Sequence, residues 1–303
     1  MRTTLPDGRE QKLVREFFGG AQSGFFVEVG ANRPQQESQT WHLEQLGWTG
    51  VLIEPQPDLA DDLWRVRSAK VFAVACSSPG NAGRRMGLHL AGALSSLDRD
   101  RMAPGVEPER VIEVPVRTLD DILIEARAPA RFELLSIDVE GHELEVLSGF
   151  DFARWRPRLI LLEDHVGNLK KHRFLQGAGY RLVRRFENNG WYVPRDATIG
   201  VAPRERWDIV RKYYLGLPFR IARNASRGLR RRLRKLHPIA SGIITLWWKL
   251  SSRARLQRCP RPRMSRAKGR VAATARSAGA ATLSFPRSAW RSDKTCLRSF
   301  PMR

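Results

Sequence analysis

A short apolar run that passes through an acidic turn into a helix recurs along the first two-thirds of this chain. Its clearest instance is Phe132 to Phe150, FELLSIDVEGHELEVLSGF. Leu134, Leu135, Ile137 and Val139 read as a buried strand, and Leu144, Val146 and Leu147 then repeat at helical spacing. Asp138, Glu140, Gly141, His142 and Glu143 stand between them. A carboxylate that ends a buried strand needs a partner, so Asp138 is a candidate functional residue. Glu143 and Glu145 fit a solvated first turn favoured by the helix dipole.

The same alternation appears elsewhere. Phe25 to Val29 is a dense apolar strand ended by Gly30-Ala31-Asn32, and Val51 to Ile53 is stopped by Glu54-Pro55. A third strand is expected over Val71 to Ala75, and another over Leu159 to Leu162, ended by Glu163-Asp164-His165. Helices are expected over Lys12 to Phe18, Ser38 to Leu46, Asp58 to Val66, Thr118 to Glu125 and Arg173 to Gly177. Thr118 is placed to cap its helix, with Asp121 at the third position. Such an order predicts an α/β fold with a parallel sheet and helices on both faces. Tyr180 to Phe186 and Trp191 to Val193 flank an Asn-Gly pair, which predicts a closing antiparallel hairpin. Pro79 to Pro108 is rich in Gly, Arg and Ser, and reads as an excursion over the ligand edge with room for a short hairpin.

Charge divides the chain. Residues 1–200 hold 26 Lys+Arg and 28 Asp+Glu, a balance of −2, whereas residues 201–303 hold 27 and 3, a balance of +24. A near-neutral body with a basic tail suggests an enzyme carrying an electrostatic appendage. Three segments follow: a domain over 1–200, a basic helical extension over 201–250, and an Arg/Ser/Ala/Pro-rich segment over 251–303 expected to be disordered. Cys76, Cys259 and Cys296 give neither metal spacing nor a disulfide framework. Met1 to Gly24 lacks the apolar core of a signal peptide, and Ile239 to Trp248 is too short to span a bilayer, so the expectation is a cytoplasmic protein.

The first two strand ends specify a cofactor class. Gly30 lets the backbone turn sharply beside a ligand, and Glu54, about 20 residues on, suits the two hydroxyls of a ribose. The G-x-G-x-x-G cradle of a dinucleotide is missing, since Asn32, Arg33 and Pro34 follow Gly30. Glu28 adds negative charge, which suits a cationic cofactor with an amino group and a sulfonium. Together these point to S-adenosylmethionine.

At this point the chain resembles the FkbM family of S-adenosylmethionine-dependent methyltransferases. The matching pieces are FVEVGAN (26–32), LGWTGVLIEPQP (46–57), VRTLDDIL (116–123), LLSIDVEGHELEVLSG (134–149) and LILLEDH (159–165), spread over roughly residues 20–195. The family usually carries Asp where this chain has Glu28, a swap that keeps the charge. The resemblance implies a class I, Rossmann-like methyltransferase fold: a seven-stranded, mostly parallel sheet with a terminal antiparallel hairpin, here followed by the basic C-terminal extension. It implies that Gly30, Ala31 and Asn32 line the methionine end, that Glu54 holds the ribose, and that Ala75 and Cys76 lie near the adenine. It implies a cofactor or loop contact for Ser95 and Ser96. It also implies methyl transfer to hydroxyls of saccharides, glycolipids or related metabolites.

For acceptor activation, Asp138 and His142 are the candidate catalytic residues, with Asp138 also beside the cofactor. His142 reads equally as a solvated turn residue, and His165 as a surface histidine. Asp138, Glu163 and Asp164 have the makings of an all-oxygen Mg²⁺ site, in a pattern similar to certain metal-dependent sugar O-methyltransferases. Trp41 and Trp48 fit helix–sheet packing, while Trp191 is the better candidate for stacking on a sugar. The extension over 208–250, with Trp247 and Trp248, suits peripheral contact with an anionic membrane. The alternative is a nucleic-acid-binding protein or RNA methyltransferase using the basic tail; the neutral body disfavours it. A nicotinamide oxidoreductase is a distant third.

Overall fold

The computed structural model describes residues 8–36, 38–102 and 105–223. The rest of the 201–250 extension, including Trp247 and Trp248, the 251–303 segment, and Cys259 and Cys296 lie outside the described residues.

The elements run α1 (Arg9–Phe17), β1 (Phe25–Val29), α2 (Trp41–Glu44), β2 (Thr49–Ile53), α3 (Pro57–Val66), β3 (Lys70–Phe72), β4 (Ala75–Cys76), β5 (Arg85–Leu90), β6 (Arg110–Arg117), α4 (Leu119–Ala126), β7 (Arg131–Ile137), α5 (Glu143–Ser148), β8 (Arg156–Glu163), α6 (Lys170–Gly177), β9 (Tyr180–Phe186), β10 (Asn189–Pro194) and α7 (Pro203–Ile209). Seven strands form one sheet in the order β3-β2-β1-β7-β8-β10-β9, with β10 antiparallel to both its neighbours. Strand order reverses between β1 and β7, which pair in parallel from Phe26↔Leu134 to Val29↔Ile137. In an open α/β sheet a crevice forms beyond the strand ends at such a reversal, and ligands bind there.

Both faces of the sheet are covered, which is why its central strands read as continuous apolar runs. Side chains alternate along each strand. Val27, Val29, Leu135, Ile137, Ile160 and Leu162 pack with residues of α4, α5 and α6 on one face. Phe26, Leu52, Leu134, Leu159 and Leu161 pack with Val14, Leu43 and Leu63 of α1, α2 and α3 on the other. Thr118 caps α4 as expected, its hydroxyl accepting from the Asp121 backbone N–H at 3.1 Å.

Three local expectations change. The third strand does not run through to Ala75: β3 ends at Phe72, and Ala75–Cys76 pairs instead with β6 in a second sheet of order β4-β6-β5. The excursion after Pro79 is therefore strand-built, and Ala75, Leu88, Leu90, Val114 and Val116 give it an apolar cluster of its own. The hairpin turns at Glu187-Asn188, because Asn189 already pairs with Phe186; Glu187 adopts the left-handed backbone that the turn needs.

The packed body continues beyond residue 200. Residues 203–215 and 217–223 are helical; Tyr213 is fully buried, and its hydroxyl accepts from Arg185 Nη1 at 3.2 Å. Among the described residues, no helix is long and apolar enough to cross a membrane.

Candidate active site

A cleft of about 560 Å³ opens at the reversal point. The ends of β1, β2 and β7 supply Gly30, Asn32, Glu54, Asp138, Glu140 and His142; the second sheet and the bend after it supply Cys76, Leu88, Ser96 and Leu97. An adjoining hollow shares Gly30, Asn32, Asp138 and Glu140 and reaches Glu28 and Ala31. The sequence-derived residues Glu28, Gly30, Ala31, Asn32, Glu54, Ala75, Cys76, Ser95, Ser96, Asp138 and His142 thus all line one of these two spaces.

Gly30 is required by geometry. Its φ is +82°, and a Cβ there would fall on the carbonyl oxygen of Asp138. Asn32 takes the left-handed conformation next to it, at φ +50°. This directs the Asn32 N–H to Glu54 Oε2 at 2.8 Å, while Glu54 Oε1 accepts from the Gln56 N–H at 2.9 Å. Glu54 is only 3% exposed. Burial raises its pKa to about 7, against the two backbone donors that favour the ionised form.

Glu28 faces away from the main cleft. Its carboxylate accepts from Thr40 Oγ1 (2.5 Å), the Gln39 N–H (2.8 Å) and Ser38 Oγ (3.1 Å). Arg67 binds the same loop, donating to Thr40 Oγ1 (2.8 Å), the Pro34 carbonyl (3.0 Å) and Glu44 (2.7 Å). Burial raises the Glu28 pKa, and the Arg67 charge opposes that. Glu28 therefore shapes the loop behind Gly30.

Ser96 is also spent on structure. Its hydroxyl donates to the Glu140 carbonyl at 2.8 Å and accepts from the Asp98 N–H at 3.1 Å, tying the bend to the β7 end. Cys76 is buried, and its thiol is pushed up by that burial.

Acids crowd the β7 and β8 ends. Asp138 is exposed at the cleft; desolvation and the charges of Glu163 and Glu140 raise its pKa, and its titration is shared with Glu163. Glu163 is held low: hydrogen bonds from His165 and Asp138 outweigh its burial. His165 lies 3.2 Å from Glu163, and that hydrogen bond raises its pKa. Glu140 is half-buried at φ +51°, with a pKa raised to about 7 by desolvation and by Glu163. His142 is lowered by burial and therefore neutral; its Nε2 is joined to Ser77 Oγ at 2.8 Å, and its Nδ1 lies 3.9 Å from Glu145.

Two sequence expectations are corrected. Asp164 cannot join Asp138 and Glu163 around a magnesium ion. Successive strand residues point to opposite faces, and Asp164 turns inward, accepting from the Val166 N–H at 2.9 Å with Lys171 at 3.6 Å. Among the described residues, the ligand-type atoms that do converge are those of Glu140, Glu163 and His165, all within 4.8 Å of one another. Trp191 is not a stacking platform: it is 1% exposed, and its Nε1 donates to Glu10 at 2.9 Å. Trp48 is core, as expected, donating to the Ala21 carbonyl at 2.8 Å. In the sequence Glu140 stands as one acid among several. The local signal for it was the Glu-Gly pair directly after a strand, where a left-handed residue redirects a side chain.

The family model of the methyltransferase FkbM domain matches residues 28–182. The chain belongs to that family. Among solved structures it is similar to a methyltransferase FkbM from Methylobacillus flagellatus KT, at 15% identity and a TM-score of 0.38, over 57% of this chain and 44% of that one. It is also similar to a precorrin-6y C5,15-methyltransferase from Geobacter metallireducens GS-15, at 13% identity and a TM-score of 0.34, over 64% of this chain and 90% of that one. The chain thus spans less than half the length of the first of these. No curated protein matches it.

Proposed function

We propose that this protein transfers a methyl group from S-adenosylmethionine to a hydroxyl of a saccharide, glycolipid or related metabolite. One observation carries the cofactor reading: the ionisable side chains that line the cleft are Glu54, Asp138, Glu140 and His142, so the lining is acidic, with no lysine or arginine among the described residues. Such a lining attracts a sulfonium and an amino group and repels a pyrophosphate. It disfavours a nicotinamide dinucleotide for the same reason. Glu54 has a free lone pair on each oxygen for a ribose diol. Val74, Ala75, Cys76, Leu88 and Leu97 offer an apolar slot for an adenine.

S-adenosylmethionine supplies an already activated methyl group; the chain's work is to position the acceptor and take its proton. We assign the proton to Glu140. A base works best with a pKa near the operating pH, and Glu140 faces the cleft with one near 7. Asp138 lines the cleft beside Glu140, where it can hydrogen-bond and orient the acceptor oxygen, while His142 is held by Ser77 and braces the turn. Calorimetry decides the cofactor: S-adenosylhomocysteine should bind and NAD should not, and the reverse result would sink the reading. Methyl transfer from labelled cofactor to a panel of glycan and glycolipid extracts then identifies the acceptor.

A further inference from the structure

Six of the eleven exposed large apolar residues among the described residues fall within 203–223: Trp207, Val210, Tyr214, Leu215, Phe219 and Ile221. Phe219 is 78% exposed and Trp207 58%. The other five are scattered over the body, which is ordinary for a soluble surface. Clustering of this kind marks an interaction surface.

The segment is amphipathic in the opposite sense to a core helix. Its inward side is fixed by Tyr213, by Arg184 on Glu205 at 2.5 Å, and by Arg220 Nε donating to the Val166 carbonyl at 3.0 Å. Its outward side mixes the apolar residues with Arg204, Arg206 and Arg211, all exposed. The sequence continues the bias: residues 203–250 carry 13 Lys+Arg and 2 Asp+Glu, with Leu229, Leu233, Leu236, Trp247 and Trp248 interspersed. Cations beside aromatic and aliphatic side chains match a bilayer interface, where apolar groups enter the acyl boundary and arginines meet anionic headgroups. A nucleic acid would use the arginines, but it has no place for Val210, Leu215 and Ile221.

We propose that residues 203–223 dock this protein on an anionic lipid bilayer. The location is telling: the Arg220 contact falls on Val166, one residue past His165 at the β8 end of the active site. On the methyl-transfer reading, a membrane-borne acceptor hydroxyl would arrive beside the acidic edge; the docking itself does not depend on that reading.

The test is co-sedimentation of the full chain with phosphatidylcholine vesicles and with phosphatidylcholine–phosphatidylglycerol vesicles. Binding should require phosphatidylglycerol and weaken with salt. The double variant Trp207→Ser/Phe219→Ser should lose at least about ten-fold in vesicle affinity, with its melting temperature kept, while Val111→Ser, an exposed apolar residue elsewhere, should bind as the wild type. Equal binding by the double variant would overturn the proposal, because the basic tail alone would then suffice. So would filter-retained RNA binding by a chain that ignores both vesicle types.

Discussion

Glu54 gives the sharpest prediction, because its protonation and its proposed ligand are coupled. With a pKa near 7, the ionised fraction of Glu54 is roughly one in eleven at pH 6 and ten in eleven at pH 8. A ribose diol donates two hydrogen bonds and so binds the carboxylate. Affinity for S-adenosylhomocysteine should therefore rise about ten-fold between pH 6 and pH 8, or about 1.4 kcal/mol. Stability moves the other way. The folded pKa lies above the unfolded value of 4.5, so Glu54's contribution to stability is fully present below about 4.5 and is lost as pH rises through about 7. The empty protein should melt lower at pH 8 than at pH 6, and bound cofactor should narrow that gap. Isothermal titration calorimetry across this range, on wild type and Glu54→Gln, is the assay. Glu140 titrates in the same window, so Glu140→Gln serves as the control and should keep the affinity slope. A flat wild-type profile, or a slope that survives in Glu54→Gln, would refute the assignment.

Glu140→Gln should bind S-adenosylhomocysteine within about two-fold of wild type yet lose roughly a hundred-fold in turnover once an acceptor is known; unchanged turnover would remove it as the base. Gly30→Ala should destabilise the fold by roughly 1–3 kcal/mol and abolish cofactor binding, because its Cβ meets the Asp138 backbone and not a mobile side chain; a normal melt would falsify the close approach. Arg67→Ala should lower stability by about 3–5 kcal/mol in thermal unfolding, since it strands the buried Glu44 and Glu28 carboxylates. Arg67→Lys should not restore the loss, because an ammonium cannot reach Glu44, the Pro34 carbonyl and Thr40 together.

What the sequence discloses follows from where burial is total. β1, β2, β7 and β8 have apolar cores that are buried on both faces, and their ends are punctuated by Gly30, Glu54, Asp138 and Glu163, so the cleft residues are legible. The same total burial hides facing. Along Leu159 to Leu162 every residue is apolar, so no alternation tells which of Glu163 and Asp164 turns toward Glu140. The second sheet was obscured differently. β6 alternates Ile112, Val114 and Val116 with Val111, Glu113 and Pro115, a usable period of two, but a proline argues against a strand. Pro115 stands opposite Arg85, the first residue of β5, a pairing that no local pattern specifies. Trp191 misled for a third reason: its partner, Glu10, lies 181 positions away.

The small sheet β4-β6-β5 bears on how tightly a ligand can be held. Loops that order around a ligand lose about 1–2 kcal/mol of backbone entropy per residue, a charge against affinity. Here Cys76 and Leu88 reach the cleft from paired strands with their own apolar cluster, so that side of the cleft lost its freedom when the chain folded. Binding there should show a small entropic penalty and little change in backbone dynamics. On the proposed methyl-transfer reading, discrimination between acceptors then falls to rim segments outside the strands, such as the bend at residues 91–97 and the turn at 138–142.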